Sequence, residues 1–265
     1  MRKILILLVI LLCGVLTASV CAQTCSEQPV SVTRHSIPSA ALHTDLMFDV
    51  YAPPCMDDRI TGGYPVIYLL HGQDMGIEIW QEMKMDKIIR DTINEAGLPL
   101  FYTVVPQEDQ FLLSPSISGY ETALLNELIP WIDEHYNTCT DRSCRGIGGL
   151  SRGAMWAEKI AFEHAETFGA LGMLSVPGAW IDQQTLYYLA QDHAAADTML
   201  RVRIDSGSQD QYRNDGVRTA TDLTFISYPY DYYVRPGEHD ETYWQKSLSD
   251  YFVWFSKSWE TVSLP

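Results

Sequence analysis

Six short apolar runs separated by helix-length segments constrain this chain more than anything else in it. PVIYLL (65–70), LFYTVV (100–105), RGIGGL (145–150), FGALGMLSV (168–176), RVRID (201–205) and LTFISY (223–228) are continuous rather than alternating, the pattern of strands covered on both faces. Two earlier segments differ. VSVTRHSI (30–37) and LMFDVYA (46–52) read as an antiparallel pair, with Leu46, Phe48 and Val50 set against a wetter face of Met47, Asp49 and Tyr51. Between the runs, 79–93, 120–136, 152–166, 182–190 and 240–258 carry helical patterns. In 120–136, Leu124, Leu128 and Ile132 form an apolar stripe, and Pro130 is expected to kink it. Strands alternating with helices after an antiparallel start predict an α/β fold: a mixed, mostly parallel central sheet with helices on both faces.

The amino terminus stands apart from this pattern. Arg2 and Lys3 precede an apolar run from Ile4 to Cys13, and small residues follow up to Ala22. This is the layout of a secretory signal peptide, with cleavage expected after Ala22. The segment is too short and too interrupted for a stable membrane span. Residues 23–265 are then one domain. Losing Arg2 and Lys3 from 18 basic residues leaves 16 against 34 acidic ones, a net of −18, which argues against nucleic acid or anionic lipid as partners. Four cysteines remain, an even number in an exported chain, and they favour disulfides over a metal site. The short polar loop CTDRSC predicts Cys139–Cys144, and Cys25–Cys55 follows by elimination.

The chemistry is concentrated in Gly149-Leu150-Ser151-Arg152-Gly153, a G-x-S-x-G between an expected strand and an expected helix. In that turn, small flanking residues allow a strained Ser to lift its hydroxyl clear of the sheet, and the helix amino terminus faces any oxyanion formed there. Such a nucleophile needs a base and an acid that orients it. His239, in a loop opened by Pro236 and Gly237, is the better base; His193 sits in a helical context and reads as a surface histidine. The acid is Asp205, at the end of RVRID, or Asp210, five residues on, with reach favouring Asp210. Asp240 reads as a charge at a helix amino terminus. YLLHGQDMG (68–76) can supply a second oxyanion donor, making the backbone N–H groups of Gln73 and Arg152 the expected pair. His71 reads as a structural residue that hydrogen-bonds this loop.

YPVIYLLHG, NELIPWIDEHY, GIGGLSRGAMWAEKIAFEHAETFGALGMLS, DSGSQD and PGEHDETYW together resemble the esterase family of α/β-hydrolases that includes feruloyl esterases, S-formylglutathione hydrolases and antigen 85 mycolyltransferases. The resemblance covers most of residues 44 to 256. It implies an α/β-hydrolase fold, Ser151 as nucleophile, His239 as base, Asp210 as acid, and Gln73 and Arg152 as oxyanion donors. Arg152 stands where the family often has an uncharged residue, and Ala154 replaces a frequent glycine, which leaves substrate preference open.

The implied reaction is acyl transfer through an acyl-enzyme, requiring no metal or organic cofactor. Export favours an extracellular ester, with feruloyl or acetyl esters of polysaccharide first among the substrates the resemblance implies. Trp80, Trp180 and Trp244 are candidates for stacking on substrate, and 177–200 for part of the substrate wall. Arg152 is a candidate for holding a polar or anionic substrate group, the alternative being a salt bridge with Asp74. The competing functions are an acyltransferase of the mycolyltransferase type and a non-catalytic carbohydrate-binding protein.

Overall fold

The computed structural model describes residues 28–111 and 113–259. Eight strands form one sheet in the order β1-β2-β4-β3-β5-β6-β7-β8. They are β1 (Ser31–Ser39), β2 (Thr44–Ala52), β3 (Val66–Leu70), β4 (Tyr102–Pro106), β5 (Arg145–Leu150), β6 (Ala170–Leu174), β7 (Arg201–Gly207) and β8 (Asp231–Arg235). β1 and β2 pair antiparallel, β2 joins β4 antiparallel, and every later pairing is parallel. This is the α/β-hydrolase architecture.

Strand periodicity divides the core into two layers. Val66, Tyr68 and Leu70 of β3 pack on one face with Phe48, Ile147, Trp156 and Leu171. Ile67 and Leu69 pack on the other with Tyr51, Phe101, Val105, Phe252 and Phe255. The helix Glu241–Ser256 lies close against the second face because β5 and β6 present glycine there. A Cβ on Gly146 would stand 2.8 Å from the Phe255 ring, and one on Gly172 2.9 Å from both Phe255 and Tyr251. Glycine weakens a strand in isolation, and the helix packed against RGIGGL offsets that cost.

Four expectations change. LTFISY is not a strand: the helix Arg213–Phe225 takes its first residues, burying Gly216, Thr219, Ala220 and Leu223, a 3–4–7 spacing. The eighth strand is instead Asp231–Arg235, a half-exposed edge with no apolar run to announce it. The second face of β2 is dry at its inner end, where Asp49 and Tyr51 are fully buried. Arg34 and Gln81 bond the Asp49 carboxylate. The helix expected over 79–93 is two, Glu78–Glu82 and Met85–Ala96, broken at Lys84 by a left-handed backbone (φ 59°). In 120–136 the expected disturbance takes the form of a π turn, Leu124–Leu128, leading into Ile129–His135, because Pro130 has no N–H for the ladder.

Cys139 and Cys144 are bonded, with Cα atoms 5.9 Å apart. Cys55 is also disulfide-bonded; Cys25, its expected partner, and the expected signal segment lie outside the described residues. Among the described residues no helix is long and apolar enough to cross a membrane.

Glu158, on the helix Arg152–Glu163, is fully buried with Oε2 unpartnered. Burial first, and the charge of Asp222 second, push its carboxyl pKa up to about 8. Between roughly pH 4.5 and 8 the folded chain therefore keeps a proton that the unfolded chain has lost, so stability falls as pH rises. Glu158→Gln should remove this slope. By urea unfolding, its stability advantage over the parent should grow by roughly 4 kcal/mol from pH 4.5 to 8; parallel pH curves for the two proteins would contradict it.

Candidate active site

The parallel strands direct their carboxyl ends to one edge of the sheet, where loops meet. Ser151 follows β5 and caps the helix Arg152–Glu163 with φ 54° and ψ −123°, a conformation costing a non-glycine residue about 1–3 kcal/mol. What holds it is proximity. A Cβ on Gly153 would collide with the Leu70 and His71 carbonyl oxygens, and one on Gly149 with the Gly153 backbone. The two glycines are thus fixed by the crossing of the turn over β3.

Asp210 follows β7 and His239 follows β8. His239 Nδ1 lies 3.1 and 3.0 Å from the two Asp210 carboxylate oxygens, and Nε2 lies 2.9 Å from Ser151 Oγ. The Tyr212 N–H also donates to Asp210, at 2.7 Å. Burial works to raise the Asp210 carboxyl pKa, but hydrogen bonds from His239 and Tyr212 outweigh it and hold it below the usual range. The imidazole is packed edge-to-face between Tyr212, at 4.8 Å, and Trp244, at 5.1 Å. The loops bearing acid and imidazole are tied together through Gln209, whose N–H donates to the Gly237 carbonyl and whose Oε1 accepts from the Gly237 N–H. Such a chain of bonds can draw a proton from a serine hydroxyl and stabilise the resulting imidazolium.

The site opens into a cleft of about 410 Å³ lined by Gln73, Met75, Met155, Trp180, Tyr212 and Trp244 among others. The N–H of Arg152 is the first of its helix and so has no acceptor within it; Gln73 lies in the turn after β3. Both residues border the cleft beside Ser151.

Residues 39–255 match the protein family described as "Putative esterase". The chain belongs to this esterase family. The family match supports a carboxylic ester hydrolase, and known proteins point the same way. An endo-1,4-beta-xylanase/feruloyl esterase of Xylanibacter ruminicola is 31% identical over 119 residues. That stretch is 42% of this chain and only 16% of the relative. A ferulic acid esterase from Anaeromyces mucronatus, solved with ferulic acid, superposes with a TM-score of 0.71 at 20% identity, covering 87% of this chain and 90% of that one. An S-formylglutathione hydrolase from Staphylococcus aureus gives 0.71 at 18% identity, covering 86% and 99%. At these identities the structural likeness is one of fold.

In this member of the esterase family, the structure brings Ser151, His239, Asp210, Gln73, Arg152, Trp180 and Trp244 to one cleft. Pro177 and Trp180 come from the 177–200 stretch. Trp80 is elsewhere: it is sealed in the core with Ile77, Met83 and Tyr51, which leaves its ring for packing rather than stacking on substrate. Asp205 is fully buried and taken up by Arg203 at 2.9 Å and by the Tyr243 hydroxyl. Asp240 caps the last helix by accepting from the Tyr243 N–H at 2.9 Å. His193 is a core residue rather than a surface one, held between the Tyr228 hydroxyl and the Phe162 carbonyl.

Arg152 pairs not with Asp74 but with Glu108, which accepts from Nε at 3.0 Å and Nη2 at 2.8 Å. The guanidinium lies 5.0 Å over Trp180. Sequence reading missed Tyr212, which packs on His239, and Glu108. The only signal of Glu108 is an acidic residue two places after a buried strand, in VVPQED. Elsewhere, Glu121, Glu163 and His164 bring possible metal ligands within 4.8 Å of one another. Lys159 already bonds both carboxylates there.

Proposed function

We propose that this chain is an exported serine esterase that cleaves feruloyl esters of polysaccharide through an acyl-enzyme. The observation carrying this reading is the unbroken hydrogen-bonded series Ser151–His239–Asp210 at an open cleft. His239 takes the Ser151 proton as Oγ attacks the ester carbonyl. The tetrahedral oxyanion is received by the Gln73 and Arg152 N–H groups, and Asp210 holds the imidazolium. His239 then protonates the departing alcohol, and water enters by the same route in reverse to release the acid. Residues 1–22 serve as the signal peptide and 23–265 as one mature domain. Feruloyl esterases among the relatives support the acyl group, as does a cleft whose walls carry Trp180, Trp244, Tyr212, Met75 and Met155.

The test compares methyl ferulate with methyl acetate, which release the same alcohol. Burying an aromatic ring is worth about 1.5–3 kcal/mol, so kcat/KM should favour methyl ferulate by roughly 10- to 100-fold. Equal values would remove the feruloyl assignment and leave an acetyl esterase. Inactivity on both would remove the esterase reading.

A further inference from the structure

We infer that Glu108 is a positioning residue that fixes both oxyanion donors, the Gln73 N–H through its own backbone and the Arg152 N–H through its carboxylate. The inference rests on the esterase reading of the site. Glu108 follows β4, is 3% exposed, and makes two unrelated sets of contacts.

The first set is to His71. The Glu108 N–H donates to His71 Nε2 at 2.8 Å, so Nε2 is the unprotonated nitrogen and Nδ1 carries the hydrogen. Burial, the largest influence on this imidazole, lowers its pKa and keeps it neutral. Nδ1–H then donates to the Gly72 carbonyl at 2.9 Å. That carbonyl and the Gln73 N–H belong to one planar trans peptide, in which C=O and N–H point in opposite directions. Holding the Gly72 oxygen toward His71 therefore turns the Gln73 N–H the other way. Glu108 itself is anchored by Gln107, whose amide bonds the Glu108 carbonyl at 3.1 Å and the Ile77 N–H at 2.9 Å.

The second set is the two-pronged pair with Arg152. It draws the first residue of the nucleophile-bearing helix toward the β4 loop, with Trp180 closing the other side of the guanidinium. Planar, bidentate pairing restricts orientation more than a single bond does. An oxyanion donor is useful only where it meets the charge that develops in the transition state, and removing one entirely costs about 10²–10³ in kcat. Displacing one should cost less.

The experiment uses the full mature chain, with Glu108→Gln and the double variant Glu108→Gln/Arg152→Met, which leaves no buried charge unpaired. Two readouts are taken: methyl ferulate kinetics, and the rate at which a fluorophosphonate modifies Ser151, since its phosphoryl oxygen occupies the oxyanion position whatever ester the cleft prefers. Glu108→Gln is expected to lower kcat and the labelling rate together, by about 10- to 100-fold, with KM within about threefold and near-UV circular dichroism unchanged. The double variant should be no faster than Glu108→Gln despite restored stability, because the clamp is still missing. Parent-like kcat and labelling in Glu108→Gln, or recovery of both in the double variant, would overturn the positioning role while leaving the esterase intact. A parent chain inert to both reagents would instead overturn the esterase reading, and the inference with it.

Discussion

Ser151→Ala is expected to lower kcat on methyl ferulate by about 10⁶-fold, the scale on which a serine hydrolase loses its nucleophile. The geometry leaves little alternative. Oγ is the group that His239 Nε2 faces at 2.9 Å, and among the described residues no other hydroxyl or thiol lines the cleft except the phenol of Tyr212. Residual turnover above the rate in water should persist, because the Gln73 and Arg152 N–H groups do not depend on the Ser151 side chain. Folding should be nearly untouched. Alanine keeps the same unfavourable backbone that the packing of Gly149 and Gly153 against β3 imposes, whereas Ser151→Gly should gain stability by relieving it. Stopped-flow kinetics with urea unfolding on the three proteins checks both statements; more than about one per cent of parental kcat in Ser151→Ala would exclude Ser151 as the nucleophile.

Asp210→Asn is the second large effect, a loss of about 10⁴-fold in kcat with little change in stability. The carboxylate accepts from His239 Nδ1 through both oxygens. An amide offers a donor as well as an acceptor, so the imidazole can settle in the tautomer that carries its hydrogen on Nε2, where it cannot take the Ser151 proton. Asp205→Asn provides the contrast. Asp205 neutralises Arg203, itself 3% exposed at the side chain and stacked on Tyr251 and Tyr233, so the substitution leaves a buried cation poorly compensated. The expected cost is about 3–5 kcal/mol of stability, with kcat on the remaining folded protein near parental. An Asp205→Asn variant that is stable but inactive would reverse the roles of the two carboxylates.

The buried carboxylate of Glu108 shows how far sequence reading reaches. Its two partners lie 37 and 44 residues away along the chain. Nothing local distinguishes it from Asp109 beside it. Asp74, within the candidate loop itself, is the carboxylate the sequence offers as an alternative partner for Arg152, and it is not the one Arg152 takes. The same limit applies to Asp205 and Asp210. Both stand at the end of an apolar strand or just beyond it; reach and the family resemblance favour Asp210, but that Asp205 is withheld by Arg203 and Tyr243 is visible only in the folded chain.

Other features needed no tertiary knowledge. The strand-length runs up to β7, the stripe Leu124–Leu128–Ile132, the disturbance at Pro130 and the short Cys139–Cys144 loop follow from which neighbours a residue has along the chain. Periodicity, proline's missing N–H and small-loop closure all act over a few residues. The G-x-S-x-G turn is similarly local in outline, although the reason for its glycines is not. They are required by carbonyls of β3, brought in by a parallel pairing across 79 residues of chain between Leu70 and Gly149. The sequence by itself therefore determined the layered α/β arrangement, and the loops in which a hydroxyl, an imidazole and a carboxylate could meet. The tertiary structure decided what removes Asp205 from the imidazole, which carboxylate Arg152 takes, and why the inner end of β2 is dry on both faces, because burial and charge pairing depend on strand order and on the loops that order brings together.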